Sequence, residues 1–245
     1  MGRLPGVEKV DLGTIGYHEA LAVQQKYFDS LLAAKRGGGE ISGGERNGCE
    51  MSGDESGGPG RAGYPAGNKL ILCSHPHVYT IGRSGDRRNM LAGDGTLEKV
   101  GAQLIETGRG GDITYHGPGQ LVGYPILDLE QFGLGVKEYI HAVEETVIRT
   151  LHRWGIDAGR LRGATGVWLE RQRKICAIGV KVSRWVTMHG FALNVSTDLT
   201  YFGYINPCGF TDKGVTSMEK ETENTVSQQE VKEVLVGEFR DILGC

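Results

Sequence analysis

Cys208 is a candidate nucleophile in this sequence. It stands in Asn206-Pro207-Cys208-Gly209, where the flanking proline and glycine predict a turn after the last strand pattern ends. A thiol in a turn can be accessible to a substrate, and the N–H of Gly209 could lie nearby. The spacing alone leaves two interpretations open: a catalytic cysteine and an ordinary thiol in a turn.

Residues 109–120, RGGDITYHGPGQ, combine several glycines with an arginine, a histidine and a glutamine. Glycines let a backbone approach a ligand closely and offer free N–H donors. Arg109 can bind a carbonyl or a phosphate, and His116 can donate, accept or shuttle a proton. We predict a binding loop between two strands; the alternative is a structural loop held by the arginine.

Two further groups of polar residues are weaker candidates. Cys73, His75 and His77 alternate around a proline, which would suit a metal site on one face of a strand but also fits a plain strand and turn. Lys174 precedes an apolar strand, where a lysine is ordinarily an exposed edge charge. Cys176 lies within the apolar run and is expected to be a core thiol.

The composition restricts the class of protein. The chain has 245 residues, 39% hydrophobic and 23% charged, with a net charge of −3, which predicts a globular chain without general attraction to nucleic acid. No apolar run reaches the roughly 18 residues of a membrane span, and the N-terminal residues lack the apolar stretch of a secretory signal. The five cysteines form no Cys-x-x-Cys pair, which argues against a disulfide framework and favours a reducing compartment. P-loop, HExxH and GxSxG motifs are absent.

Two segments differ in composition from the chain as a whole. Residues 36–68 hold twelve of the 40 glycines and show no apolar periodicity, so we predict a flexible surface insertion. Residues 149–184 hold nine Lys and Arg against two Asp and Glu. That excess is either a solvated face or a basic surface that receives an acidic partner.

Apolar periodicity predicts three long helices, over residues 17–34, over 136–154 and after a capping box of Ser227 and Glu230. A short helix is predicted at 96–100. Strand patterns occur at 69–82 (strand, turn, strand), 102–106, 121–129, 165–170, 174–183 and 187–195. Helices and strands alternate, and several strands follow one another directly. This order predicts a mixed α/β fold with a partly antiparallel sheet, in one domain over residues 1–245.

Four motifs, in this order and at matching distances, resemble the lipoyl/octanoyl transferases of the LipB family. They are RGGDITYHGPGQ at 109–120, KICAIG at 174–179, HGFALN at 189–194 and INPCG at 205–209. The resemblance extends from about Asp11 to Leu243, and the insertion at 36–68 is extra to it. The related lipoate and biotin ligases share the broad fold but not this set of motifs.

The resemblance implies a single α/β domain of the biotin/lipoate protein ligase type. The implied reaction moves an octanoyl or lipoyl group from acyl carrier protein to a lysine of a lipoyl domain, in 2-oxoacid dehydrogenase or glycine cleavage complexes. No cofactor, metal, nucleic acid or membrane is implied. A cytoplasmic monomer is expected, with the mitochondrial matrix as the alternative location.

The resemblance also implies the site residues. Cys208 is the nucleophile that carries the acyl group as a thioester, and Lys174 is its partner in a dyad. Substrate binding is assigned to three segments, with these residues: Arg109, Gly110, Gly111, Asp112, Ile113, Thr114, Tyr115, His116, Ala177, Ile178, Gly179, Gly190, Phe191 and Ala192.

The implied chemistry is consistent with general rules. A free thiol has a pKa of about 8.5, and a nearby cation stabilises its thiolate. After attack on the octanoyl thioester, Lys174 would give its proton to the leaving thiol and later accept one from the acceptor lysine. An apolar tunnel beside the glycine-rich segment would bind the acyl chain. Three alternatives remain: an ATP-dependent lipoate ligase, an acyl-carrier thioesterase and a non-enzymatic module that binds the carrier protein.

Overall fold

An eight-stranded mixed sheet forms the centre of the fold, and a three-stranded sheet lies beside it. The computed structural model describes residues 5–37, 67–206 and 213–245. Its strands are β1 (Val7–Thr14), β2 (Asn68–Ser74), β3 (Val78–Ile81), β4 (Gln103–Glu106), β5 (Ile113–His116), β6 (Gln120–Ile126), β7 (Gly159–Leu161), β8 (Ala164–Leu169), β9 (Arg173–Ser183), β10 (Val186–Asn194) and β11 (Gly214–Val215). Its α-helices are α1 (Tyr17–Gly37), α2 (Asp94–Lys99), α3 (Val136–His152), α4 (Met218–Thr222) and α5 (Gln228–Leu243), and short 3-10 helices lie at Arg87–Asn89, Leu129–Phe132 and Leu199–Tyr204.

The large sheet has the order β1-β2-β6-β10-β9-β8-β7. β1 is parallel to β2, and the other neighbours along this path are antiparallel. The short β11 runs parallel to the beginning of β9, where Val215 lies opposite Lys174. In the small sheet, β3 lies between β4, which is parallel to it, and β5, which is antiparallel. The predicted mixed α/β fold with a partly antiparallel sheet is therefore confirmed.

The two faces of the large sheet pack against different helices. Along β2, Leu70 and Leu72 join the apolar cluster that contains α3 and α5, whereas Ile71 and Cys73 join the cluster of α1. Successive side chains of a strand point to opposite faces, so this alternation separates the two layers. A third cluster joins the small sheet to α2 and to the 3-10 helix at Leu199–Tyr204.

The predicted long helices agree with α1, α3 and α5. Ser227 caps α5 as expected, because its side chain accepts the N–H of Glu230. The predicted strands correspond to β2 to β4, β6 and β8 to β10. No helix in the described part of the chain is long and apolar enough to cross a membrane.

The short β7, β11 and α4 were not predicted, and two further elements also differ from the prediction. β1 was not anticipated, because it is an edge strand whose side chains are mostly exposed and show no clear apolar alternation. The loop predicted at 109–120 is wrong for Ile113–His116, which form β5; Ile113 and Tyr115 belong to the core of the small sheet. The predicted insertion at 36–68 lies outside the described residues except at its ends, where 36–37 belong to α1, Gly67 precedes β2 and Asn68 begins it.

Candidate functional site

A cavity of about 340 Å³ opens where the two sheets meet. Its walls come from the start of α1, from the segment that leads into β5, and from strands β5, β6, β8, β9, β10 and β11. It brings together most residues of the site expected from the sequence, namely Arg109, Gly111, Asp112, Ile113, Thr114, His116, Lys174, Ala177, Ile178, Gly179, Gly190, Phe191 and Ala192.

Three residues of the expected site are not among these walls. Gly110 instead donates its N–H to the carbonyl of Val180, 2.9 Å away. Tyr115 packs inside the small sheet, and its hydroxyl lies 2.7 Å from Nδ1 of His77. Cys208 lies outside the described residues. The described chain before and after it does reach the cavity, because Phe202 and Lys213 both line it.

Several cavity residues were missed in the sequence. Gln120, His189 and Asn194 stood inside the quoted motifs but were given no role. Tyr17, Tyr124 and Trp168 were attributed to ordinary elements, because an aromatic residue in a helix or strand usually packs in the core. Gln120, His189 and Asn194 could have been predicted from the sequence, because they stand in the same motifs as the residues that were assigned to the site.

Arg109 both braces the glycine-rich segment and lines the cavity. Its Nε donates to Oγ1 of Thr80 at 3.1 Å, its Nη2 donates to the same oxygen at 2.9 Å, and its Nη1 donates to the carbonyl of Gly110 at 3.0 Å. Asp112 holds the same segment from the other side by accepting the side-chain amide of Asn89 at 2.6 Å. These hydrogen bonds hold the segment against β3, and the segment also lines the cavity, where a ligand could reach it.

His116 is a buried, neutral polar group. Its Nδ1 lies 2.8 Å from Oε1 of Gln120, and its Nε2 lies 3.4 Å from Oγ1 of Thr80. Burial lowers the pKa of His116 to about 3, and the nearby His75 and Arg109 act in the same direction. A proton-shuttle role near neutral pH is therefore not supported; His116 is suited to hydrogen bonding instead.

Lys174 lies at the β8 side of the cavity. Its ammonium nitrogen is 4.6 Å from the centre of the Trp168 ring. Gly166 on β8 makes room for the neighbouring backbone of β9: the residue has a φ of 125°, and a Cβ there would come within 2.6 Å of the Cys176 carbonyl oxygen, while Cε of Lys174 lies at an ordinary contact distance of 3.5 Å. The backbone carbonyl of Lys174 accepts the N–H of Thr216 at 3.0 Å, just after β11.

Part of the cavity lining is an apolar wall made by Ile113, Val122, Ile178, Phe191 and Ala192. Next to this wall, Gly179 lets the glycine-rich segment come close to β9. A Cβ at Gly179 would lie 2.7 Å from the carbonyl oxygen of Gly110 and 3.2 Å from Cδ of Arg109.

The metal interpretation of Cys73, His75 and His77 is not supported. Cys73 Sγ lies 3.5 Å from Nε2 of His75, but the ring of His77 stacks on that of Tyr201 with centroids 4.2 Å apart. Burial raises the pKa of Cys73 to about 12, so the thiol stays protonated. In the portion of the chain described, no group of three or more His, Cys, Asp or Glu residues could hold a metal ion. Cys176 is a buried core thiol, as expected.

The basic segment 149–184 is partly neutralised by glutamates. Arg149, Arg153, Arg160 and Arg173 all form ion pairs with glutamates, at 2.6 to 3.0 Å. The exposed Arg162 and Arg171 lie beside the cavity: Arg162 precedes the lining residue Gly163, and the carbonyl of Arg171 accepts from Nζ of the lining Lys213 at 3.2 Å. The candidate docking surface is therefore the region of Arg162 and Arg171, which is smaller than the whole segment 149–184.

Comparison with known proteins gives one consistent family. Residues 61–240 match the model of the lipoyl protein ligase A/B catalytic domain. An octanoyltransferase of Bacteroides fragilis is 52% identical over 229 residues, 92% of this chain and 92% of that protein. One from Bacteroides thetaiotaomicron is 51% identical over 238 residues, 96% of this chain and 94% of that protein.

Among solved structures, the fold matches a bipartite lipoate protein ligase of Thermoplasma acidophilum, described with its E2 lipoyl domain. The TM-score is 0.66 with 16% identity, covering 98% of this chain and 84% of that one. At this identity the likeness concerns the fold, and it agrees with the biotin/lipoate ligase type expected from the sequence.

Proposed function

This chain belongs to the octanoyltransferases of the lipoyl protein ligase A/B catalytic domain family, and from this premise we propose that it acts through an octanoyl thioester on Cys208. The donor is octanoyl-acyl carrier protein, and the acceptor is a lysine of a lipoyl domain. The observation that carries the proposal is that one cavity combines an apolar wall, the braced Arg109 segment and the ammonium group of Lys174.

The apolar wall suits the acyl chain. Six methylenes at about 0.8 kcal/mol each would contribute about 5 kcal/mol of burial. The volume of about 340 Å³ is within the usual size of a small-molecule pocket. One methylene more or fewer changes binding only about tenfold, so neighbouring chain lengths and the lipoyl group should be accepted at reduced rates.

The first half-reaction exchanges one thioester for another. The Cys208 thiolate attacks the octanoyl carbonyl, the bond to the carrier's thiol breaks, and Lys174 gives its proton to the departing sulfur. One thioester and one thiol are present before and after this step, so its free-energy change is close to zero. Lys174 supports it by placing a positive charge at the cavity, where a cation stabilises a thiolate.

The second half-reaction forms an amide. The acceptor lysine starts as an ammonium with a pKa of about 10.4 and must lose a proton before it can attack. The Lys174 amine, neutral after the first step, accepts this proton as general base. As the amide forms, the attacking nitrogen loses a second proton to water, Cys208 leaves as a thiolate, and Lys174 keeps the proton that it accepted, so the site returns to its starting state.

Partner and compartment follow from the same premise. An acidic carrier protein would meet Arg162 and Arg171 beside the cavity. Cys73, Cys176 and Cys245 are free thiols in the described residues, which suits a reducing cytoplasm. The enzyme is proposed to work as a monomer and without a cofactor.

The test is transfer with purified proteins. Octanoyl-carrier protein and a lipoyl domain are mixed with the enzyme, without ATP, and the mass of the lipoyl domain is followed. The proposal predicts one added octanoyl group on the domain, and no gain when its acceptor lysine is replaced by arginine.

Parallel reactions separate the alternatives. A ligase would modify the domain from free octanoate only when ATP is present. A thioesterase would release octanoate without modifying the domain. A binding module would retain the carrier protein and catalyse neither reaction. Any of these three results in place of ATP-independent transfer would reject the proposal.

A further inference from the structure

Two buried amides, Gln120 and Asn194, connect the two ends of the cavity. Nε2 of Gln120 donates to the backbone carbonyl of Tyr115 at 3.1 Å and to Oδ1 of Asn194 at 2.9 Å. Nδ2 of Asn194 donates to the backbone carbonyl of Thr216 at 3.0 Å. Oε1 of Gln120 faces Nδ1 of His116 at 2.8 Å. Both amides are almost fully buried.

The direction of these bonds is determined by their ends. The carbonyls of Tyr115 and Thr216 can only accept, so the NH₂ groups of both amides must point toward them. The Gln120 oxygen that faces His116 is then an acceptor, and Nδ1 of His116 must carry the proton. Nε2 of His116 is left as an acceptor for the hydroxyl of Thr80.

Thr80 extends this series of hydrogen bonds beyond His116. Its Oγ1 already accepts two N–H groups of Arg109, at 3.1 and 2.9 Å. With both lone pairs occupied, the hydroxyl proton is free to point to His116, 3.4 Å away. Every donor in the series therefore points the same way, from Arg109 through Thr80, His116, Gln120 and Asn194 to Thr216.

We propose that Gln120 and Asn194 are positioning residues of this transferase, which hold His116 as its Nδ1–H tautomer and fasten β11 beside Lys174. The proposal deepens the proposed function, since the site it positions is the one assigned to octanoyl transfer. Neither residue needs to touch the reacting atoms.

The hydrogen bond of Asn194 to Thr216 links Asn194 to Lys174 through β11. β11 has only two residues, and it pairs with β9 at Arg173 and Lys174. The N–H of Gly214 donates to the Gln172 carbonyl at 2.9 Å, and that of Thr216 donates to the Lys174 carbonyl at 3.0 Å. The Asn194 amide on β10 holds the Thr216 carbonyl in addition. Without it, the cavity wall beside Lys174 would lose this side-chain hydrogen bond and depend more on the short pairing of β11 with β9.

The surroundings of His116 favour the single tautomer. The cation of Arg109 acts on it from the segment before β5, His75 from the β2–β3 turn and His189 from β10. The ring of Tyr17 stacks on it from α1, with centroids 6.1 Å apart. None of these groups stabilises a second proton, so the Gln120 acceptor at Nδ1 and the Thr80 hydroxyl at Nε2 select which nitrogen is protonated.

The first experiment reads the tautomer directly and needs no substrate. Side-chain ¹⁵N NMR of the full chain should show His116 as the neutral Nδ1–H form from about pH 8 to about pH 5, below the ordinary histidine pKa of about 6.5. In Gln120→Glu the carboxylate should raise its pKa, so that the imidazole gains a second proton within this range. An Nε2–H tautomer in the wild type, or identical titration in both proteins, would overturn the assignment.

The second experiment measures how the hydrogen bond of Asn194 beside β11 affects the rate of octanoyl transfer. Asn194→Asp keeps an acceptor for Gln120 but turns a carboxylate oxygen toward the Thr216 carbonyl. At about pH 8 we expect kcat to fall about tenfold to a hundredfold, as for loss of a buried hydrogen bond. KM for the carrier protein should change little. Activity should recover toward about pH 6, because the protonated carboxyl can donate again.

Asn224→Asp is the matched control, since Asn224 also donates to a backbone carbonyl, that of Thr222 at 2.6 Å, but is exposed. It should retain wild-type kinetics and pH dependence. If Asn194→Asp lowers only the melting temperature, with unchanged kcat and no recovery at lower pH, the role is structural and the proposal is wrong. Absence of transfer by the wild type would reject the proposed function and with it the positioning role, while the NMR result would still decide the tautomer.

Discussion

The ammonium nitrogen of Lys174 lies over the Trp168 ring, 4.6 Å from its centre. The two residues are paired across β8 and β9, directly after a bulge between Val167 and Trp168. The negative face of an indole attracts a cation by about 0.5 to 2 kcal/mol, depending on how far the pair is removed from water. Trp168 therefore restricts the proposed proton donor to one part of the cavity.

Replacing Trp168 tests this restriction. Trp168→Leu should lower kcat for octanoyl transfer about tenfold, since about 1.4 kcal/mol of positioning energy corresponds to that factor. The rate is measured with saturating octanoyl-carrier protein. Trp185→Leu is the matched control, because Trp185 is exposed in the turn between β9 and β10. Equal effects of the two substitutions would show that Trp168 has no special relation to Lys174.

Gly179 provides a steric prediction. Gly179→Ala would place a Cβ 2.7 Å from the Gly110 carbonyl and push the glycine-rich segment away from β9. We expect a loss of about 1 to 3 kcal/mol in the free energy of unfolding, as for other overpacked sites, and a raised KM for the donor. Gly159→Ala, with nothing within 4 Å of the new Cβ, should change neither. A Gly179→Ala protein with wild-type stability and KM would contradict the close packing.

The fold was predictable where periodicity is strong. α3 and α5 have regular apolar stripes that face the core, as in Val143, Val147 and Leu151. β1 could not be predicted in the same way, because an exposed edge strand has no apolar face to reveal it. β5 was hidden by the glycines that flank it, although Ile113 and Tyr115 alternate as a buried strand requires.

The site was only partly visible in the sequence. Motifs placed Arg109, Lys174 and Gly179 together by resemblance, and the structure puts all three at one cavity. The Lys174–Trp168 contact depends on a bulged register that no local pattern encodes. The amide series through Gln120 and Asn194 joins β3, β5, β6 and β10 to Thr216, just after β11. Such long-range pairing follows only from the folded sheet.

Docking of the carrier protein should depend on charge beside the cavity. Arg162→Glu and Arg171→Glu should each raise KM for the octanoyl-carrier protein at low salt by about three- to tenfold, with kcat unchanged, because steering by charge acts mainly on association. The difference should shrink as ionic strength rises. Arg184→Glu, exposed in the β9–β10 turn, is the comparison. Unaltered KM in the first two variants, or an equal change in the third, would remove the docking region from Arg162 and Arg171.

Acid stability should report the buried histidines. Burial lowers the pKa of His116 to about 3 and that of His189 to about 4, and it also lowers the pKa of His75. In the unfolded chain each titrates near about 6.5, so below that pH the unfolded state binds more protons than the folded state. The stabilisation is complete above about pH 6.5 and is lost as pH falls toward the folded values, by up to about 1.4 kcal/mol per pH unit for each histidine.

Urea unfolding between about pH 7 and about pH 5 measures this slope. His189→Gln should reduce it by close to one proton, because glutamine does not titrate. If the wild type and the variant show the same slope, His189 does not remain neutral in the folded protein.

An octanoyl group bound to Cys208 would increase the intact mass of the enzyme, which mass spectrometry can measure. The wild type, Cys208→Ala, Lys174→Ala and Cys245→Ser are each mixed with octanoyl-carrier protein and no acceptor. The thioester mechanism predicts one added octanoyl group, removable by hydroxylamine, on the wild type and on Cys245→Ser, none on Cys208→Ala and slow formation on Lys174→Ala. Adding a lipoyl domain should discharge it. A wild type that transfers the octanoyl group without ever carrying the adduct, or a Cys208→Ala protein that still carries it, would show that transfer does not proceed through a Cys208 thioester.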